Sequence, residues 1–498
     1  MRKKQQLSKK LPLTLDELEQ SLQEVFTNNS DLLFSRYQHY GKKFAVFYIP
    51  YIVESGKVEE FILSPLLKRE MKWTNLTILN EIPLGSGEML TSLDEVLEKV
   101  VKGQVFIYIE GEKKVISYVL LNKEKRGLEK AETESLVLGP KIAFTESLVT
   151  NMNIIRWKIR SNDLELEELV VGNSIPADVR LVYMKSVANE EDVQTMRQRI
   201  QDLDVDFVED STVLKQYLED NTVNLFPQFN ITELPDRFAY DISQGKVGVL
   251  VENSPIGIIA PSTFFSFLES TEDRYMRWQG DSVFRILRFI AMFFAIIVTP
   301  TYVAIVTYQY GVIPTQLLIS IGESRAAVPF PPLLEALLLE FLIEFLREAG
   351  VRLPTKVGQT MGIVGGIVIG QAAVETGLTS NILIIVVAKS ALASFTFPNY
   401  LFGTSVRIIR YPFIFLAGIF GIMGIMFGLC MLIIHLLRLT SLGRPYLVPL
   451  YPLRLKDFNK SLFRLPLQFE SKRMEAYRPK DAKRFSKSEA MKKRDIDE

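Results

Sequence analysis

The chain has 498 residues, 48% hydrophobic and 23% charged, and its 58 basic residues balance 58 acidic ones to a formal net charge of +0. That length exceeds one ordinary domain, and the lack of net positive charge argues against a nucleic-acid partner, whose phosphates call for a basic surface. A single cysteine, Cys430, excludes an intrachain disulfide, and with only His39 and His435 beside it no zinc-ligand set, and no other cofactor, is expected.

The mean hydropathy of +0.14 is high for a soluble protein. It is also unevenly spread. Up to Val283 roughly a quarter of the residues are charged, whereas from Phe284 to Leu437 about a tenth are. The start, MRKKQQLSKKLPLTLDELEQ, has no apolar stretch behind its basic cluster, so no secretory signal is predicted and the first half is expected to stay in the cytoplasm.

Within that half, period-2 apolar runs alternate with helical patterns up to about Pro261. FAVFYI (from Phe44) reads as a buried strand followed by a helix near Lys57 to Leu67, and VRLVYM (from Val179) precedes Glu190 to Leu203 in the same way. LDEVLEKVVKGQVFIYIEGEKKVISYVL (from Leu93) shares a plan with LPDRFAYDISQGKVGVLVENSPIGIIA (from Leu234): helix, glycine stop, strand, Glu-containing turn, strand. Gly103 aligns with Gly245, Glu110 with Glu252, and Val105, Ile107 and Ile109 with Val247, Val249 and Val251. Two related α/β subdomains are predicted, joined by the polar stretch from Lys123 to Pro140. LGSGEM, with Gly85 and Gly87, lacks the rest of a nucleotide-binding fingerprint and reads as a turn. The acidic runs Asp163 to Glu168 and Asp202 to Asp210 read as solvated faces, so no catalytic pair and no enzyme is expected.

The second half opens with an apolar run from Phe284 to Tyr308, long enough to cross a bilayer, which needs about twenty residues. Arg285 and Arg288 mark its cytoplasmic end, and Pro300 lies inside it. VPFPPLLEALLLEFLIEFLREAG (from Val328) carries Glu340 and Glu344 on one helical face, which favours an amphipathic helix at the interface; a sharper reading has its acidic face lining a cation pathway. In KVGQTMGIVGGIVIGQAAVETGL (from Lys356), Gly358, Gly362, Gly366 and Gly370 recur every fourth residue, a seam for close helix packing that Gln371 and Glu375 extend with polar groups. The span from Asn381 to Phe397 holds Lys389, which an antiparallel hairpin leaves about 10 Å along the axis from Glu375. Tyr411 to Leu439 reads as the last span, with His435 and Arg438 at its exit and a basic tail behind it. Four spans and cytoplasmic termini follow, with Arg407 and Arg410 outside as a mild violation.

The expected fold class is therefore an α/β soluble N-terminal half of two related subdomains followed by an all-α multi-span membrane domain. The divisions are 1–135 and 136–283 for the subdomains, 284–439 for the membrane domain with the acidic helix near 329–349, and 440–498 for the basic tail.

The blocks GPKIAFTESLVTNMNIIRWKIR, VRLVYMKSVANEEDV, ESTEDRYMRW, IPTQLLISIGESRAAVPFPPLLEALLLEFLIEFLREAGVRLP, GQTMGIVGGIVIGQAAVETGL, ASFTFPNY and GRPYLVPLYP run in order from about Gly139 to Pro452. Together they resemble the A subunits of the spore germinant receptor family of endospore-forming bacteria. Lys389 departs from the pattern, in which an uncharged residue is expected. The resemblance implies a multi-pass protein of the spore inner membrane that works with a transporter-like B subunit and a lipoprotein C subunit. It also implies a homo-oligomer of the A subunit that forms or gates a cation channel in response to nutrients. The alternative is a non-conducting membrane scaffold or signal-transducing subunit that recruits the other receptor subunits.

Overall fold

The computed structural model describes residues 10–26, 31–68, 73–85, 87–122, 131, 134, 136, 138–353, 366, 368 and 370–488. The chain divides into two compact units. One comprises Met1–Thr222, Phe229–Pro261 and Glu470–Glu498, the other Val223–Gln228 and Ser262–Phe469.

The first unit contains two five-stranded antiparallel sheets. In one, β1 (Leu33–His39), β2 (Lys42–Tyr48), β3 (Glu88–Leu90), β4 (Gln104–Ile109) and β5 (Val115–Val119) lie in the order β1-β2-β4-β5-β3. In the other, β6 (Leu164–Val171), β7 (Ala177–Met184), β8 (Asn230–Thr232), β9 (Val247–Val251) and β10 (Gly257–Ala260) lie in the order β6-β7-β9-β10-β8. The two orders are the same, and the helices fall at the same points of the chain. Each half opens with a helix, Leu15–Val25 or Leu148–Lys158, and inserts another before its fourth strand, Leu93–Val100 or Pro235–Ser243. The registers agree as well: Phe44 faces Ile109 and Val46 faces Ile107, as Val179 faces Val251 and Leu181 faces Val249.

The aligned glutamates have one structural job. Glu110 Oε1 accepts from the Leu15 N–H at 3.4 Å and Glu252 Oε2 accepts from the Leu148 N–H at 2.8 Å, so each satisfies a donor at the free N-terminus of its opening helix. The next residue in each half is left-handed, Gly111 at φ 85° and Asn253 at φ 61°, and its N–H reaches the carbonyl two residues before that helix, Leu13 or Glu146. Gly103 is also left-handed, at φ 77°, and a Cβ there would stand 2.4 Å from Leu121 Cδ2, which explains the glycine. One continuous core takes Phe47 and Phe106 from the first sheet together with Leu166 and Val182 from the second. Most of the predicted linker lies outside the described residues, but Glu134 pairs with Arg237 at 2.6 Å.

The second unit is helical: Trp278–Thr307, Thr315–Arg325, Pro332–Arg352, a helical stretch over 370–375, Asn381–Ser394, Tyr400–Phe420 and Ile422–Arg438. Among the described residues, Trp278–Thr307 and Tyr400–Phe420 are the two helices long and apolar enough to cross a membrane. The run from Tyr411 to Leu439 is not one span, contrary to the sequence reading. It turns at Gly421, whose φ of 62° suits glycine, and Ile422–Arg438 packs back along Tyr400–Phe420. The close approach is explicit: a Cβ on Gly424 would lie 2.0 Å from the Leu416 carbonyl oxygen, and one on Gly428 3.0 Å from the Phe413 ring.

Candidate functional site in the helical unit

Charged groups inside an apolar helical unit are expensive unless they meet a partner, so their pairing locates the site worth examining. Pro332–Arg352 begins behind Pro331, and its periodicity places Glu340, Glu344 and Arg347 one turn apart. Tyr400–Phe420 begins at an N-cap, Asn399, whose side chain accepts from the Phe402 N–H, and it carries Arg407 and Arg410. The structure joins the two sets. Glu340 is 3% exposed; one carboxylate oxygen accepts from Thr299 Oγ1 at 2.9 Å and the other bonds Arg410 Nη1. Glu344 lies 3.3 Å from Arg407 Nε and 3.6 Å from Arg347 Nη1.

Glu335 is fully buried one turn into the same helix. Its Oε1 accepts the Ser380 N–H at 2.6 Å and Thr379 Oγ1 at 3.2 Å, and its Oε2 lies 3.4 Å from Arg325 Nη1. Beside it, Tyr302 Oη is 3.3 Å from Ser380 Oγ. This carboxylate therefore fixes the turn that precedes Asn381–Ser394. Gly377 in that turn is left-handed at φ 69°, and a Cβ there would stand 2.7 Å from the Ala327 carbonyl oxygen.

The expected water-facing acidic surface is corrected by these contacts. Glu335 and Glu340 are buried and internally paired, while Glu344, its side chain 40% exposed, is shared between two arginines. Arg407 and Arg410, expected on the outer side of the membrane, are buried in the bundle as the partners of Glu344 and Glu340. Arg285 and Arg288, expected to mark the cytoplasmic end of the first span, are both paired: Arg285 Nε contacts Asp281 at 2.8 Å, and Arg288 binds Asp273 through both terminal nitrogens, at 2.7 and 2.9 Å.

Of the glycine seam, Gly358 and Gly362 lie outside the described residues. Among the described residues, nothing stands within 4 Å of where a Cβ on Gly366 or Gly370 would lie. Gln371 and Glu375 are exposed on the same helix, and Gln371 Nε2 donates to Glu375 Oε1 at 2.9 Å. Lys389 is exposed, and among the described residues no ion pair joins it to Glu375. Also among the described residues, no three His, Cys, Asp or Glu side chains are grouped as a metal ion would require.

A hexapeptide that periodicity did not single out belongs to this unit. Over Val223–Gln228 the backbone carbonyls are taken in succession: Leu225 by Ser405 Oγ at 2.5 Å, Phe226 by Asn224 Nδ2 at 2.7 Å, Pro227 by Tyr446 Oη at 2.8 Å and Gln228 by Ser441 Oγ at 2.7 Å. The Phe226 ring packs with Phe264, Phe402 and His435, and His435 Nε2 is 2.7 Å from Asn224 Oδ1. Its one sequence signal is composition, since VNLFPQF has no charge within an otherwise charged half.

The fold thus defines a two-part protein, an α/β half joined to an apolar helical unit with buried acid–base pairs and two helices able to cross a membrane. The family model described as Bacillus/Clostridium GerA spore germination protein matches residues 20–476, and the chain belongs to that family. It is similar to spore germination protein GerQA of Bacillus cereus, 40% identical over 473 residues that cover 94% of this chain and 92% of the relative. Spore germination protein KA of Bacillus subtilis (strain 168) is 35% identical over 449 residues, covering 89% of this chain and 82% of the relative. An uncharacterized membrane protein of the same organism, YfkQ, is 32% identical over 465 residues, covering 92% and 90%. Among solved structures, the N-terminal domain of the A subunit of the Bacillus megaterium spore germinant receptor GerK3 is similar over 52% of this chain and 99% of its own, at 26% identity and a TM-score of 0.42.

Proposed function

We propose that this chain is the A subunit of a nutrient germinant receptor in the spore inner membrane, and that copies of it assemble to form or gate a cation-conducting channel. Family membership supports the receptor role. The observation that carries the channel reading is the open space at Gly366 and Gly370 beside the helical stretch over 370–375. Gly366 and Gly370 leave room for another helix, and Gln371 and Glu375 present polar groups beside that room. A seam of small residues next to exposed polar ones suits a helix that packs on its own copies around water. A transporter-like B subunit, a lipoprotein C subunit and membrane lipid are the partners expected with it, and both termini are expected in the cytoplasm.

The test is reconstitution of the assembled receptor in planar bilayers with germinant present. A cation current that Glu375→Gln reduces supports the channel; no current from an intact assembly leaves the scaffold reading. Gly366→Leu is expected to break assembly under either reading, seen as loss of the oligomer peak in light scattering, because its side chain fills the seam.

A further inference from the structure

One cluster in the helical unit sets three guanidiniums, of Arg347, Arg407 and Arg410, against two carboxylates, of Glu340 and Glu344. One cation is left over, and its place can be found. Each oxygen of Glu340 is already engaged, one by Thr299 and the other by Arg410. Glu344 is split between Arg407 and Arg347, at 3.3 and 3.6 Å, both longer than a charge-assisted bond. Among the described residues, three buried donors, Arg347 Nε, Arg347 Nη1 and Arg410 Nε, meet no hydrogen-bond acceptor, and Arg410 is only 3% exposed. Buried donors on a charged group are strongly driven to find an acceptor. An anion bound beside them would supply one.

Position and surroundings say what kind of acceptor. Arg347 stands five residues before the end of Pro332–Arg352, and Arg407 seven residues after the start of Tyr400–Phe420, about 8 and 10 Å along the helix axes. Arg347 Nη2 also donates at 3.0 Å to Ser394, the last residue of Asn381–Ser394. The guanidiniums of Arg347 and Arg407 therefore sit toward one set of helix ends, the level at which phospholipid headgroups are expected. The rim is aromatic and open. Phe345, Phe395 and Tyr400 are 69%, 65% and 61% exposed, and Arg347 lies 4.6 Å from the Phe395 ring centroid and Arg407 5.9 Å from that of Tyr400. Such a rim suits acyl chains, and a guanidinium fork suits phosphate oxygens. We infer that Arg347 and Arg407, with Arg410 beneath them, bind the phosphate of an anionic phospholipid whose acyl chains run along Phe345 and Phe395. This site is independent of whether the assembly conducts.

The test uses the full chain in detergent, with lipid retention read by native mass spectrometry and stability by thermal unfolding. Added phosphatidylglycerol is expected to be retained and to raise the unfolding temperature, while phosphatidylcholine and inorganic phosphate are expected to do neither. Arg347→Gln combined with Arg407→Gln should cut retention about tenfold, as expected for losing charge-assisted bonds. Lys389→Gln, an exposed cation elsewhere in the unit, should leave it unchanged. Because the double variant also strips Glu344 of its partners, Glu344→Gln provides a second arm: removing the competing acceptor should increase retention. Equal retention by wild type and double variant, or a fall in retention with Glu344→Gln, overturns the proposal. So does a thermal shift reproduced by inorganic phosphate alone, which would make the site one for a free anion. An arginine-dependent association of chains that ignores lipid overturns it too, by making the acceptor a second copy.

Discussion

Arg156, with no exposed surface, bonds across the two related subdomains. Its Nη2 meets Asp31 Oδ2 at 2.6 Å, its Nη1 reaches the Leu164 carbonyl at 3.1 Å, and Tyr51 Oη donates to the same Asp31 oxygen at 2.6 Å. Burial is the larger influence on Asp31 and holds its carboxyl above the ordinary value of 3.8 despite the guanidinium. A carboxyl raised in the folded state contributes stability at low pH and loses that contribution as pH rises through its folded value. Arg156→Met leaves the carboxylate buried without its guanidinium, so it is expected to cost about 3–5 kcal/mol at pH 7. The loss should shrink as the pH is lowered and Asp31 takes up a proton. Denaturant unfolding at pH 7 and at about pH 5 checks this; equal losses at both would contradict it.

At the scale of elements, glycine positions separate what local sequence reveals from what it hides. A Cβ on Gly424 meets the Leu416 backbone at 2.0 Å, while one on Gly418 meets only the Leu333 side chain, at 2.8 Å or more. Backbone cannot yield as a leucine rotamer can. Gly424→Ala is thus expected to lower stability by about 1–3 kcal/mol, and Gly418→Ala by clearly less, in thermal unfolding of the detergent-solubilised chain. The duplication of the α/β half was legible because its marks are local: Gly103 and Gly245 end helices, and Glu110 and Glu252 follow strands at the same offset. The break at Gly421 was hidden because apolar composition does not distinguish one long span from a tight helical hairpin. The Glu340–Arg410 pair was hidden for another reason. Its members are 70 residues apart, and the nearest hint was spacing, two carboxylates four apart on one helix and two arginines three apart on another.

For the whole molecule, the balance of +0 is a cancellation: about −11 up to Val283, about +3 from there to Leu437 and about +8 beyond. The basic end finds its acidic counterpart within the same chain, since Glu470–Glu498 belongs to the first unit although Ser262–Phe469 forms the second. Tyr477 is buried there, with Lys246 Nζ 4.9 Å from its ring centroid; the Lys480 N–H donates to the Val187 carbonyl at 2.9 Å, and Lys480 Nζ meets Glu190 at 2.7 Å. Two kinds of contact hold this segment, and they answer to different changes. Tyr477→Ala removes apolar burial and is expected to cost about 3 kcal/mol or more at any pH, by analogy with large aromatic truncations. The ion pair is exposed and contributes little at neutral pH, yet its hydrogen bond from Lys480 holds the Glu190 carboxyl below its ordinary 4.5. A carboxyl lowered in the folded state contributes above that ordinary value and loses the contribution as pH falls through the lower one. Limited proteolysis of the segment after Tyr477 should therefore speed up below about pH 4 in the wild type. In Lys480→Gln that acid-dependent increase should flatten, whereas in Tyr477→Ala cleavage should already be fast at neutral pH.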